Sequence, residues 1–471
     1  MYYYNLVERL GFGLPLEIWI VAVGIFLNSL GWAAVLPFEL IYLHDARGFG
    51  LGQAGLVVGT ITGLAVVAAP AAGWAIDRVG ARVVAAGAGI ALALGYAGLA
   101  FVHAPWQAFV CAVVAGVGNG ALLPSQSALL VTIVPPELRH RSTAVSRVAA
   151  NAGFGFGGVL GGLVAAYGVN GFVLLFLVNA VTYLIYVAIL VAAVREDARP
   201  EPVAGGYRAV VRDRPFVRLA AITIAVIAVG WGIFSWIVPT YARDQIGVGL
   251  RLVGLMAMAN ALTVVVAQIP VAKLAEGRRR TVTMATGALA LAVACLLVFA
   301  AGFAPFDLAY AALVAAAIVV GVGECFYTAV LSPLVADLAP PALRGRYMAT
   351  IGLAWWLGLA LAPTAGAQLL GVSPAATLLV AAGVALGAAT AVLALEQDLP
   401  RAVRLTPRPD EAPVGPRRRQ PELAAVAAEE HTGLYADERV DVGSRAAQRI
   451  GDAQPTGVRI EQRLHPSARD S

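Results

Sequence analysis

The sequence predicts an all-α membrane protein: twelve transmembrane helices forming two six-helix bundles, related by a pseudo-two-fold axis along the membrane normal. Three observations predict it. Hydrophobic residues make up 59% of the 471 positions and charged residues 13%, with a mean hydropathy of +0.78. A soluble domain carries about a quarter charged residues, so this much apolar surface must be covered by lipid. The apolar runs number twelve, each near the ~20 residues that a spanning helix needs. The second half of the chain also repeats the first.

Glycine, proline and charge clusters punctuate the spans in order. The first, 15–43, opens at Pro15 and stops before His44-Asp45. The second, 51–76, opens after Gly50 and ends at Asp77-Arg78; the third, 81–103, starts beyond Gly80. Pro105 opens the fourth, 105–134, and Pro135-Pro136 closes it. A glycine-rich fifth run, 141–168, leads into the sixth, 171–195, which ends at Arg195-Glu196. In the second half the spans are 216–243, 250–275, 280–303, 305–337, 345–371 and 373–396.

The repeat is explicit. A shift of 199 aligns Gly31/Gly230, Trp32/Trp231, Tyr42/Tyr241, Asp45/Asp244, Gly48/Gly247, Gly50/Gly249, Leu51/Leu250, Gly55/Gly254 and Leu56/Leu255. A shift of 205 sets the Pro135–Arg141 turn on the Pro340–Arg346 turn. Two halves in parallel orientation can rock about a site at the bilayer midplane.

Charge sets the orientation. Loops after even-numbered spans, with the adjoining helix ends, hold 17 Lys/Arg, while the opposite set holds Arg47, Arg243 and Arg251. The bias places both termini in the cytoplasm. The expected organisation is therefore a cytoplasmic N-terminal segment 1–14, a first bundle 15–195, a central cytoplasmic loop 196–215, a second bundle 216–397 and a disordered cytoplasmic tail 398–471. From Pro400 onward, 12 Arg and 11 Asp/Glu fall among 72 positions without apolar periodicity, the composition of an unfolded tail. Residues 1–15 show no apolar core or cleavage site of a signal peptide. Cys111, Cys295 and Cys325 lie in apolar runs without C-x-x-C spacing, so no metal site and no disulfide is expected.

Residues 73–82 read Gly73-x-x-x-Asp77-Arg78-x-Gly80-x-Arg82. This G-x-x-x-D-R-x-G-x-R turn between two spans resembles the cytoplasmic loop signature of the major facilitator superfamily of membrane transporters. The resemblance implies that Gly73, Asp77, Arg78, Gly80 and Arg82 belong to conformational switching, contacting the opposite half when the cytoplasmic side is shut. Ala272-x-x-x-Glu276 is a decayed copy of it. In the fifth span, Gly153-x-x-x-Gly157-Gly158-x-x-Gly161-Gly162 resembles the G-x-x-x-G-P-x-x-G-G signature of the family's drug antiporters, with Gly158 in place of proline. The repeat carries it to Gly358-x-x-x-Ala362-Pro363, where proline is present. Small residues at this spacing also suit close helix packing with no export role, and both readings stay open. The arginine that many proton-coupled exporters of the family place four residues before the G-x-G of the fourth span is Ala112 here, a departure from the usual coupling arrangement.

An acid inside a span is costly and a functional candidate by default. Glu324, in the tenth span, and Glu39, toward the outer end of the first, are the candidates for proton coupling. Asn28, Trp32, Asn119, Gln126, Asn151, Trp231, Asn260, Tyr327 and Trp355 are candidate cavity liners, each equally suited to helix packing. The expected function is secondary transport by alternating access, resembling the family's drug-efflux branch and exchanging protons for apolar or cationic small molecules. A metabolite or nutrient carrier of the same fold is the alternative, and a non-transporting receptor a more distant one. No H-E-x-x-H, G-x-S-x-G or G-x-x-x-x-G-K-[ST] motif occurs, so neither an enzyme nor an ATP-driven pump is expected. The expected partners are membrane lipid, protons and the small-molecule substrate, with no cofactor, no nucleic acid and a monomeric state.

Overall fold

A computed structural model describes residues 14, 16–133, 139–193, 208–340 and 343–406. They contain twelve helices long and apolar enough to cross a membrane. In the first half these are α1 (Leu16–Ala46), α2 (Leu51–Val79), α3 (Ala81–Leu99), α4 (Pro105–Ile133), α5 (Arg139–Ala165) and α6 (Val169–Ala193). In the second they are α7 (Arg214–Ile246), α8 (Leu250–Ala275), α9 (Arg280–Ala301), α10 (Phe306–Leu338), α11 (Arg344–Val372) and α12 (Pro374–Leu395). The expected spans 1 to 12 match these elements in order. Within the expected central loop 196–215, Arg208–Arg212 is helical, and α7 begins at Arg214, where Asp213 caps its N-terminus by accepting from the Phe216 amide. The N-terminal segment 1–13 and the tail beyond 406 lie outside the described residues.

The internal repeat is a repeat of packing. Helix pairs α1–α5, α1–α6, α2–α4, α3–α4 and α3–α6 recur as α7–α11, α7–α12, α8–α10, α9–α10 and α9–α12. Two further pairs, α5–α8 and α2–α11, join the halves, and the pseudo-two-fold exchanges one for the other. Without a hydrophobic drive between helices in lipid, close approach depends on small residues. The fifth-span glycines supply it on two faces. Gly153, Gly157 and Gly161 face the backbone of α1 around Phe26, Leu30 and Ala34, while Gly158 and Gly162 face Ala257 and Gly254 on α8. At the equivalent seam, Pro363 of α11 lies against Gly55 of α2.

Both seams widen toward one end. A Cβ built on Gly162 would meet Gly254 Cα at 3.0 Å, whereas one on Gly155, two turns nearer the N-terminus of α5, would meet only Ala261 at 3.6 Å. Along α2, Gly55 and Gly59 pack on Pro363 and Thr364. Gly63 stands off, its built Cβ reaching Ala360 at 3.6 Å, and Gly73 has open space. The bundles meet at the end bearing Asp45 and part toward the end bearing Asp77.

Three helices depart from α geometry. Residues Leu36–Phe38 of α1 form a 3-10 turn around Pro37, and Ala228–Ile237 of α7 and Ala362–Gly366 of α11 are π-helical. Pro239 and Pro363 lie beside or within the π segments; a proline ring displaces the carbonyl four residues back and lacks an N–H, which loosens the ladder locally. Apart from helices, the described residues contain one antiparallel bridge, Arg279 with Leu405. It belongs to a strap in which Thr406 pairs with Gly277 and Arg278, and Arg404 with Arg280, at 2.8–2.9 Å.

Candidate functional site

At the seam, α1, α5, α7, α8 and α10 surround a cavity. Trp231 and Phe234 of α7, Phe154 of α5 and Met256 of α8 make its wall largely apolar, and the polar groups are Asn151 of α5, Ser235 of α7, Asn260 of α8 and Glu324 of α10. Of the candidates drawn from the sequence, Asn151, Trp231, Asn260 and Glu324 are brought together here. The Asn260 amide nitrogen donates to the Ala317 carbonyl at 3.2 Å, which ties α8 to α10 beside the acid. The Glu324 carboxylate is half-buried and has no ionic or hydrogen-bonding partner among the described residues.

The other candidates stand elsewhere. Trp32 stacks edge-on against Phe154 with centroids 5.3 Å apart, Phe154 against Trp231 at 5.8 Å, and Trp355 behind Trp231 at 5.6 Å. This aromatic file crosses from α1 to α11, and only its middle members line the cavity. Trp32 and Trp231 are repeat partners with different fates, because the π segment 228–237 shifts the register of α7 while 29–38 of α1 stays α-helical or 3-10. Tyr327 is buried and shares a 2.9 Å hydrogen bond with Thr223. Asn119 is buried in α4, Gln126 is half-buried on the same helix, and Asn28 holds its carbonyl oxygen buried without a partner. None of these lines the cavity.

Glu39 does not line it either. It is buried (3% exposed) and accepts from the Tyr96 hydroxyl of α3 at 3.1 Å and the Trp236 indole N–H of α7 at 3.0 Å. Trp236 carried no signal in the sequence, since a tryptophan in an apolar run reads as packing.

At the Asp77 end, Trp74, Arg78 and Arg82 of the signature turn make contacts within the first bundle. Gly80 ends α2 at φ +90, a conformation that favours glycine. The Arg78 guanidinium lies 3.8 Å from the Trp74 ring centroid, and Arg82 donates to the Val191 carbonyl of α6. Asp77 is exposed. In the second bundle, other charges at the same end are paired: Arg280, itself buried, with Asp337 at 2.6 Å, Arg279 with Glu396, and Arg218 with Asp398.

Two pseudo-symmetric bundles, shut at one end around a cavity at their seam, have the architecture of a repeat-built membrane carrier. The family profile described as Major Facilitator Superfamily matches residues 21–302 and 220–436. The chain belongs to the major facilitator superfamily and is a multi-pass membrane transporter. Among relatives, the uncharacterized MFS-type transporter YttB of Bacillus subtilis is 28% identical over 368 residues, covering 76% of this chain and 89% of the relative. Multidrug resistance protein MdtH of Aeromonas hydrophila is 25% identical over 349 residues, covering 71% and 83%. A mutant of the nucleoside transporter NupG superposes with a TM-score of 0.68 at 14% identity, over 80% of this chain and 99% of that one. That last likeness is one of fold.

Proposed function

We propose that this transporter exports apolar or cationic small molecules in exchange for protons, as a monomer in the cytoplasmic (inner) cell membrane with both termini inside. The observation that carries the reading is Glu324: a lone carboxylate, without a partner among the described residues, on the wall of a cavity otherwise built from aromatic and aliphatic side chains. Such a group can hold a proton or face an organic cation, and the two states exclude each other, which is the condition for exchange. Trp231, Phe154 and Phe234 offer ring faces to a flat cation. Asn151 and Asn260 supply the few polar contacts that orient a ligand in an apolar pocket. Relatives described as multidrug resistance proteins agree with this class of cargo.

In this reading the Asp45 end is the outer side, and the conformation described opens to the cytoplasm. Asp77, Arg78 and Arg82 then engage the second bundle when that side shuts. Reconstitution in proteoliposomes with an imposed pH gradient tests the proposal, using a panel of lipophilic cations, neutral drugs and metabolites. Uphill movement of lipophilic cations against a proton gradient supports it. Gradient-driven uptake of a metabolite alone would replace efflux with nutrient carriage.

A further inference from the structure

We infer that Glu39 and Trp236 form a clasp between the two bundles, a hydrogen bond made only while the Asp45 end is shut. Glu39 belongs to α1 and Trp236 to α7, so their bond at 3.0 Å crosses the seam. Its sister bond, from Tyr96 at 3.1 Å, stays inside the first bundle. The three side chains are 3%, 1% and 1% exposed, and the site is sealed from the cavity that holds Glu324.

The carboxylate has no cationic partner among the described residues to compensate for losing Trp236. Arg47, the nearest in sequence, donates instead to the Tyr42 hydroxyl and the Ala100 carbonyl. Arg243 on α7 is paired with Asp45, and the His44 ring is hydrogen-bonded to the Phe49 carbonyl. Tyr183, stacked on Tyr96 with centroids 5.7 Å apart, closes the remaining side. Parting the bundles at this end would break the Trp236 bond, leave the Tyr96 bond intact and let water reach Glu39. A buried acceptor that loses a donor is stabilised by that water. Glu39 is thus bonded to the second bundle in one conformation and to water in the other. The clasp is independent of the role proposed for Glu324.

The experiment uses the full chain in liposomes, without substrate, spin-labelled at Gln53 on α2 and Gln245 on α7, both exposed at the Asp45 end. Distances between the labels report the populations shut and open at that end. Trp236→Phe keeps a ring but removes the donor, and should raise the open-to-shut ratio about tenfold, the effect of one hydrogen bond to a charged group. Tyr96→Phe removes the other donor to the same carboxylate and should leave the ratio within about twofold of the parent. Glu39→Leu, lacking any acceptor, should match Trp236→Phe. Equal shifts for Trp236→Phe and Tyr96→Phe, or no shift in either, would overturn the clasp. Should Glu39→Leu fail to fold, the contrast between the two donor variants still decides.

Discussion

Arg243 and Asp45 meet at 3.0 Å, and the repeat that relates their helices does not exchange them for each other. A shift of 199 carries Asp45 to Asp244 and His44 to Arg243, so the symmetry mate of this ion pair is His44 facing Asp244. A ring nitrogen of His44 and one carboxylate oxygen each of Asp45 and Asp244 lie within 4.8 Å of one another. The closed end is therefore bridged by a cluster of opposite charges drawn from both halves.

The side chains of Arg243 and Asp45 are 39% and 29% exposed, so the pair should contribute on the order of 0.2–1 kcal/mol, less at high salt. Asp45→Arg or Arg243→Asp alone should slow transport, because each sets like charges together. The double reversal should recover most of the parent rate. A double variant no faster than the worse single one would show that the two residues act separately.

Glu324→Gln preserves size and hydrogen-bonding shape but fixes the neutral state. Substrate exchange down its own gradient should survive, while accumulation driven by a pH gradient should fall to a ratio of about one. Asn119→Ala, at the repeat-equivalent but buried position, should leave coupling intact. Accumulation at the parent level in Glu324→Gln would make the acid structural. Trp231→Ala separates binding from coupling: loss of its ring face should weaken affinity for an aromatic cation about tenfold with the gradient response retained.

Much of this architecture was legible in the sequence, for physical reasons. Span ends are written by glycine, proline and charge, and the repeat by matched residues at a turn, so twelve helices and their pairing could be read. The intramembrane polar groups could be named, but not sorted. Whether Trp32 or Trp231 reaches the cavity depends on a π segment that includes Trp231 in α7, whereas the π segment of α1, Tyr42–Ala46, lies beyond Trp32. Glu39 depends on partners 57 and 197 positions away, a relation that no local pattern encodes. The glycines of the fifth span were legible as packing residues, although only the structure divides them between α1 and α8.

The orientation rests on charge bias and is open to direct test. In a chain whose three native cysteines are replaced, single cysteines at His103 and Asp307 should react with an impermeant reagent applied outside. Those at Val79 and Glu276 should react only after permeabilisation. All four positions are exposed. The reverse pattern would invert the assignment of sides and turn the proposed exporter's open end outward.

Glu396 follows the last residue of α12, outside the spans. Burial pushes its carboxyl up, but hydrogen bonds from Arg279 and Thr281 and the charges of Arg279 and Arg404 outweigh that and hold it below the usual 4.5. Its contribution to stability is thus complete above the unfolded value of 4.5 and lost as pH falls through the lower folded value. Glu396→Gln should lower thermal stability in detergent at pH 7 by about 1–3 kcal/mol. The difference from the parent should close as pH falls below 4.5 and through the lower folded value, once both side chains are neutral. A difference independent of pH would point to packing instead of charge.

The strap of residues 404–406 on 277–280 makes the turn after α8 a stiffened corner. It is splinted by the chain that leaves α12, through three backbone hydrogen bonds and the Arg279–Glu396 pair. When the bundles rock, that corner and the end of α12 travel together. A handle for purification belongs beyond Thr406 for the same reason: a chain cut at Glu396 would keep all twelve helices yet lose the splint.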